Sequence, residues 1–201
     1  MLGWSYLPDG RVEGSVPSIG FREGMSQMTC DFAVTDLVAA FDRLRAAGGE
    51  AGEIERHPWA TVAECLDDQG TSIRLHEVLA DPDGTPPPAN GRRAGDLSYL
   101  TLEVVDSAQA RAFYGAVLGW EVAPGRIVDG WQVQGTAPMI GLSGGHEQAT
   151  AVPVWTVRNV AAAVAAVRGR GGSATEPHRE PYGTVTECAD DQGLRFSLVE
   201  V

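Results

Sequence analysis

The order of apolar and polar residues predicts short strands that alternate with amphipathic helices. Along residues 99–105, apolar and polar side chains alternate, so Leu100, Leu102 and Val104 would share the buried face of a strand. A helical pattern follows, and Gly119 would end that helix because glycine readily adopts a left-handed C-cap conformation. The second half of the chain is therefore predicted to open with a strand and a helix.

The rest of the pattern completes two modules, each of one strand, one helix and three strands. In the first module, further strands are predicted near residues 120–122, 130–133 and 139–142. In the second module, the predicted elements are a strand at 152–157, a helix at 159–168 and strands near 173–178, 183–188 and 194–200. The turn before the last strand has the Asp and Gly residues that are typical of a hairpin. The pattern thus predicts an α+β fold.

An internal repeat links the two halves of the chain. Residues 61–78 are identical to residues 184–201 at 11 of 18 positions, at a constant offset of 123. Self-similarity of this kind indicates a duplicated structural unit. Upstream, residues 2–4 match residues 118–120, so the first copy has no equivalent of residues 97–116, which are the opening strand and helix.

The repeat also sets the domain boundaries. Residues 79–95 are rich in Pro and Gly and predict an exposed linker. We therefore expect an N-terminally incomplete domain at residues 1–78 and a complete domain at residues 96–201. Two explanations are open for the strand edge that this leaves exposed in the first domain: the natural chain starts upstream of Met1, or another chain covers the edge.

Charge and cysteine content exclude several classes of partner and location. The chain has 27 acidic and 15 basic residues, and a net charge of -12 would repel nucleic acid and anionic membrane surfaces. Cys30, Cys65 and Cys188 fit neither a disulfide framework nor a metal-binding CxxC pair. The first residues have no signal-peptide pattern. We expect a cytoplasmic protein with reduced, buried thiols.

Four segments together resemble the vicinal oxygen chelate superfamily of glyoxalases, bleomycin-resistance proteins and extradiol dioxygenases. These segments are residues 98–106, 112–114, 117–120 and 190–200. The resemblance implies tandem βαβββ modules that form two glyoxalase-like open barrels, each around one cavity. The first domain would lack its opening strand and helix.

The metal ligands of this superfamily are not present at the matching positions. Its enzymes hold a divalent metal with His and Glu, which are usual ligands of such ions. The resemblance places the family's His positions at Tyr99, Val152 and Thr29, and its Glu positions at Gly20, Arg74, Gly141 and Ser197. Since none of these is a usual metal ligand, we predict no metal and no cofactor.

Strand alternation identifies charged residues that would line the cavities. In the last strand Arg195 and Ser197 would face the cavity, and the same parity in the first copy presents Arg74 and His76. On the neighbouring strand of each copy, Glu187 and Glu64 are candidate general bases, and the arginines are candidates to bind an anionic group of a substrate. The alternative is a cross-strand Glu–Arg pair that only neutralises two charges.

Aromatic residues near the same strands are candidates to stack on a flat ligand. They are Trp59, Tyr99, Trp131 and Tyr182.

Three functions follow from this pattern. The first is metal-independent binding of a small organic ligand by a glyoxalase- or bleomycin-resistance-like protein. The second is a lyase, isomerase or dioxygenase-type enzyme that uses a cavity Glu or an unrecognised metal site. The third is a structural or partner-binding role through the open sheet edge, which includes a possible homodimer.

Two further patterns are predicted to carry no chemistry. Residues 141–145 match G-x-S-x-G, but no helix follows the strand as a nucleophile elbow requires. His57, His146 and His178 lie in predicted loops or at strand ends and are expected to be surface histidines.

Overall fold

A computed structural model describes most of the chain in atomic detail. The described residues are 2, 4–13, 15, 17–21, 23, 26–58, 60–78, 91 and 93–201. The candidate Trp59 and most of the predicted linker lie outside them. No helix in these ranges is both long enough and apolar enough to cross a membrane.

The first domain contains one βαβββ module. Its elements are β1 (Cys30–Val34), α1 (Leu37–Ala46), β2 (Glu50–Arg56), β3 (Ala60–Leu66) and β4 (Ser72–Val78). They form a four-stranded sheet in the order β1-β4-β3-β2, in which β1 runs parallel to β4. Upstream, the described residues form only isolated bridges between Tyr6 and Val12 and between Arg11 and Gly20. Within the described part of the chain, β1 is therefore an edge strand.

The second domain contains two such modules. The first consists of β5 (Leu97–Glu103), α2 (Ser107–Leu118), β6 (Val122–Pro124), β7 (Gly130–Val133) and β8 (Met139–Ser143). The second consists of β9 (Thr150–Val157), α3 (Val160–Arg168), β10 (Ser173–Ala174), β11 (His178–Glu180), β12 (Gly183–Ala189) and β13 (Arg195–Glu200). These elements confirm the predicted module order, except that the single strand predicted near 173–178 is divided into β10 and β11.

The two modules of the second domain share one nine-stranded sheet. Its order is β10-β12-β13-β9-β5-β8-β7-β6, and β11 also pairs with β12. The modules join through the antiparallel pair β5–β9, whereas the first and last strands of each module run parallel. The result is a mixed α+β fold of βαβββ modules, with no closed barrel among the residues described.

The helix ends follow the capping chemistry expected from the sequence. The Asp106 side chain accepts hydrogen bonds from the backbone N–H groups of Ala108 and Gln109 at the start of α2. Gly119 ends this helix with φ 71°, the left-handed conformation that was predicted. The other two helices have N-caps of the same kind: Asp36 caps α1, and Asn159 caps α3.

The hydrophobic core joins the two domains. Leu100 and Leu102 of β5 are each only 5% exposed and pack beneath α2. The same cluster includes Leu37 and Phe41 of α1. Helices α1 and α2 therefore bury their apolar faces against each other. A second cluster lies under α3, where Trp4 packs edge-on against Trp155 at 5.0 Å between ring centroids.

The β3–β4 hairpin forms a polar contact between the domains. Asp67 closes the hairpin by accepting hydrogen bonds from the backbone N–H groups of Gln69 and Thr71, and it also accepts one from the Tyr114 hydroxyl at 2.9 Å. Burial, together with the charge of Asp67, raises the pKa of the neighbouring Asp68 from 3.8 to about 6. One oxygen of Asp68 is buried with no hydrogen-bond partner. At neutral pH, Asp68 therefore opposes folding.

We expect Asp68→Asn to raise the free energy of unfolding by about 1 kcal/mol at pH 7.5, after allowance for solvent screening of a partly exposed group. Because the pKa of Asp68 is higher in the folded state, protonation stabilises the fold: this contribution is complete below pH 3.8 and is lost as the pH rises through about 6. The gain should therefore shrink as the pH is lowered toward 4. Urea unfolding across this pH range measures it.

Asp191 is the matched control, since it occupies the same place in the second hairpin at the offset of 123 and is exposed. Asp191→Asn should leave stability nearly unchanged at every pH. A gain of equal size in both variants would contradict the role assigned to burial at Asp68.

Candidate functional site

The candidate site lies on the face of the nine-stranded sheet that is turned away from α2 and α3, here called the open face. On β5, Tyr99, Thr101 and Glu103 point to this face because Leu100 and Leu102 point to the helices. Neighbouring strands add further side chains to the open face by direct pairing. These are Gln132, Ser143, Val152, Val154, Arg195, Ser197 and Val199.

The sheet curls around Tyr99. Arg126 lies in the turn between β6 and β7, and Tyr182 lies in the turn between β11 and β12. In a flat sheet these strands would be separated by about 29 Å, at roughly 4.8 Å per strand. Nevertheless, the charge of Arg126 partly offsets the rise that burial causes in the pKa of Tyr182. The two ends of the sheet are therefore curved toward each other, and the concave open face around Tyr99 is called the trough below.

Tyr99 forms the floor of this trough. Burial raises the pKa of its phenol, and nearby Tyr182 raises it further. The Tyr99 hydroxyl donates a hydrogen bond to Oε1 of Gln132 at 3.2 Å. The amide nitrogen of Gln132 in turn donates to the backbone carbonyl of Ile140 at 2.8 Å, which fixes the orientation of the amide. Val152 and Val199 lie on the same face of the sheet and are 8% and 1% exposed, so their side chains are packed inside the protein.

Gly141 leaves room for the Tyr99 ring. A Cβ atom at position 141 would lie 2.9 Å from Cζ of Tyr99 and closer still to its hydroxyl, and it would also meet the backbone oxygen of Trp131 at 3.2 Å. A side chain at position 141 and the present position of the Tyr99 phenol are therefore mutually exclusive. Gly141 is required here for space and not for its backbone angles.

The close packing of the Tyr99 ring against Gly141 affects whether the residues present could form the family's metal site. The resemblance predicts that the family's Glu positions fall on Gly141 and Ser197 and its His positions on Tyr99 and Val152. The Tyr99 phenol fills the space that a carboxylate side chain at position 141 would need. The described residues also contain no group of three or more His, Cys, Asp or Glu that could hold a metal ion. The residues present do not fit the family's metal.

A charged cluster closes one end of the trough. Glu103 is 8% exposed and receives two hydrogen bonds from the Arg195 guanidinium, at 2.6 and 2.7 Å. These bonds raise the pKa of the Arg195 guanidinium above its usual value. His146 is adjacent, with Nδ1 3.4 Å from Glu103 and Nε2 3.0 Å from the Ser143 hydroxyl. A cavity of about 390 Å³ opens beside the cluster, between Glu103, His146, Thr150 and Arg195.

Two members of this cluster were not found from the sequence. Glu103 shares the strand parity of Tyr99, and this polar alternation was the signal that could have identified it. The expectation that His146 is a surface histidine was wrong, because its ring is two-thirds buried and bound to two side chains. That contact depends on the turn after β8, which periodicity does not reveal.

The candidate Trp131 lies on the helix side of the sheet and does not line the trough. Its ring stacks beneath the guanidinium of Arg111 at 3.5 Å, and its indole N–H donates to Ser107 and Asp129. Strand β7 is only four residues long, so its parity could not be judged from the sequence. Tyr182 is at the rim of the trough with 59% of its surface exposed.

The remaining candidates belong to the first domain. On its four-stranded sheet, Arg74 bonds Glu64 at 3.2 Å, which is the cross-strand Glu–Arg pair considered above. His76 Nδ1 lies 2.6 Å from a carboxylate oxygen of Asp31. In the second domain, by contrast, Arg195 bonds Glu103, and exposed Glu187 is directly opposite Ser197. The catalytic roles suggested for Glu64 and Glu187 stay predictions.

Comparisons with known proteins identify relatives of this fold. The family model of the glyoxalase-like domain matches residues 99–199. No curated protein sequence matches the chain.

Three solved structures share the fold. A trihydroxybiphenyl 1,2-dioxygenase from Sphingomonas wittichii has 15% identity and a TM-score of 0.64, and the match covers 100% of this chain and 82% of that one. A 2,3-dioxygenase from Pseudomonas sp. KL28 has 14% identity and a TM-score of 0.59, with coverage of 89% and 73%. A Mn(II)-bound glyoxalase from Novosphingobium aromaticivorans has 12% identity and a TM-score of 0.59, with coverage of 85% and 61%.

We expect Gly141→Ala to lower the free energy of unfolding by about 1–3 kcal/mol, because the added methyl group overlaps the Tyr99 ring. In a Tyr99→Leu background the same substitution should cost less, since the phenol is gone. A double-mutant cycle in urea measures this coupling. Equal costs in both backgrounds would rule out the steric exclusion between Tyr99 and Gly141.

Proposed function

This chain belongs to the glyoxalase-like domain family of the vicinal oxygen chelate superfamily, and on that premise we propose that its second domain binds a small organic ligand in the trough without a metal. The observation that carries the proposal is the Tyr99 phenol above Gly141. It replaces a charged ligand set with a neutral hydroxyl, which can hydrogen-bond an organic molecule.

The chemistry of the trough favours a flat, hydroxylated aromatic ligand. Tyr182 offers an exposed ring at the rim, on which such a ligand can stack. The Tyr99 oxygen retains acceptor capacity after donating to Gln132, so a ligand hydroxyl can bind there. One structural neighbour is a dioxygenase of a trihydroxybiphenyl, a molecule of this chemical class. Arg195 lies toward the charged end, whereas Ser197 is level with Tyr99 through Val154, and each would contact a polar substituent.

The enzyme alternative has less support from the geometry. Glu187 and Glu64 are both exposed, and an exposed carboxylate lacks the enclosure that tunes a general base. For location we propose the cytoplasm, because Cys30, Cys65 and Cys188 are free and buried.

If metal-independent binding is correct, elemental analysis of the purified protein should find near-zero stoichiometry of Mn, Fe, Zn and Ni. Adding these ions should leave the thermal unfolding midpoint unchanged, because the matching positions offer no ligand set. One equivalent of metal per chain would refute the proposal and restore metal chemistry of the glyoxalase or dioxygenase type.

A panel of hydroxylated biphenyls and naphthalenes, tested by thermal shift and equilibrium dialysis, should contain at least one compound that binds. Tyr182→Ala and Tyr99→Phe should each weaken that binding roughly fivefold, through lost stacking and a lost hydrogen bond respectively. Tyr6→Ala is the control, since Tyr6 is 62% exposed and lies beside α3, on the opposite face of the sheet from Tyr99. Equal weakening by all three substitutions would count against the trough as the site.

A further inference from the structure

Ser143, His146 and Glu103 form a continuous polar chain at the charged end of the trough. The Ser143 hydroxyl lies 3.0 Å from Nε2 of His146, and Nδ1 of the same ring lies 3.4 Å from Oε2 of Glu103. Hydroxyl, imidazole and carboxylate thus follow one another in the order of a nucleophile, its general base and the group that orients the base. None of these three side chains has a role in the ligand site proposed around Tyr99.

The fold holds the three side chains in place. Glu103 and Ser143 are directly paired on the parallel strands β5 and β8, so their side chains emerge next to each other. The polypeptide backbone then turns at Gly145, whose φ of 80° favours glycine. The backbone N–H of His146 donates to the carbonyl of Val104 at 3.2 Å, which anchors the turn beside β5. Sheet pairing therefore places Glu103 and Ser143, and the anchored turn after β8 places His146.

Glu103 and His146 lie at the cavity, and Ser143 is next to them behind the imidazole. Glu103 is buried and held by Arg195 through two hydrogen bonds, which fix the position of the carboxylate beside the imidazole. His146 and Arg195 both line the cavity of about 390 Å³. The backbone N–H groups of Gly144 and Gly145 are already bonded to carbonyl oxygens. Arg195, which lines the same cavity and has a side chain that is 57% exposed, is the candidate cation for a developing oxyanion.

From this geometry we propose that Ser143 is a nucleophile toward small activated esters, with His146 as its general base. Ser143 Oγ bonds to the acyl carbon while the bond from that carbon to the leaving oxygen breaks. His146 takes the hydroxyl proton and passes it to the leaving alkoxide. Water then attacks the acyl group on Ser143, His146 takes a proton from this water and returns one to Oγ, and a carboxylic acid is released.

The nearby G-x-S-x-G pattern does not carry this proposal. Ser143 ends a strand and a turn follows, so no strand-to-helix elbow is formed. The support comes instead from His146 and Glu103, which no local motif links to the serine.

The experiment exposes the full chain to a fluorophosphonate probe and to p-nitrophenyl acetate. We expect one probe adduct per chain, located on Ser143 by peptide mass spectrometry, together with ester turnover. Ser143→Ala should abolish both signals. His146→Gln should lower the labelling rate roughly 100-fold, because it removes the general base. Ser173→Ala is the control, since Ser173 is exposed on β10, and it should label like the parent chain.

Thermal unfolding of each variant separates a lost nucleophile from a lost fold. No adduct on the folded parent chain, an adduct at another residue, or labelling that His146→Gln leaves unchanged would overturn the proposal. Aromatic-ligand binding should persist in Ser143→Ala. Ser143 is paired with Glu103, and Tyr99 lies four residues from Glu103 along β5. The failure of ester chemistry and the failure of ligand binding are therefore distinguishable.

Discussion

The antiparallel pairing of β5 with β9 is the constraint on which the candidate site depends. It brings Tyr99 opposite Val154 and Thr101 opposite Val152, and so joins the open faces of two modules that are separate in sequence. Each module alone is a small sheet with one helix and cannot enclose a ligand. The pairing also places β8 and β13 on either side of the same central strands. A one-residue slip would turn Tyr99 and Glu103 toward the helices and Leu100 toward the trough.

The two hairpins show what local sequence determines and what packing determines. Asp67 and Asp190 each accept two backbone hydrogen bonds at equivalent places, so the turn chemistry is the same in both copies. Their neighbours differ, because the first hairpin is packed against α2 whereas Asp191 is exposed. In the first hairpin, burial and the charge of Asp67 raise the pKa of Asp68.

The module order, the repeat and the helix caps were predictable because they are periodic or local. Alternation also assigned Arg195 to the open face, since β13 is six residues long and clearly amphipathic. The same reasoning failed for Trp131, where β7 offers too few residues to define a parity. Neither the Glu103–Arg195 pair nor the approach of His146 could be predicted, because the partners are separated by 92 and 43 residues and meet only through sheet pairing.

The Tyr99 phenol occupies the space that a carboxylate side chain at position 141 would need, and this affects the charge of the whole trough. An acidic side chain at position 141 would need a counter-charge in the trough, whereas the Tyr99 hydroxyl is satisfied by the neutral Gln132. Glu103, the buried carboxylate that remains on β5, is neutralised by Arg195 at the far end, about 13 Å along the strand. Charge is thereby removed from the floor of the trough and concentrated at one end. The floor is suited to an uncharged aromatic molecule, while Ser143 and His146 share the end where the charges lie.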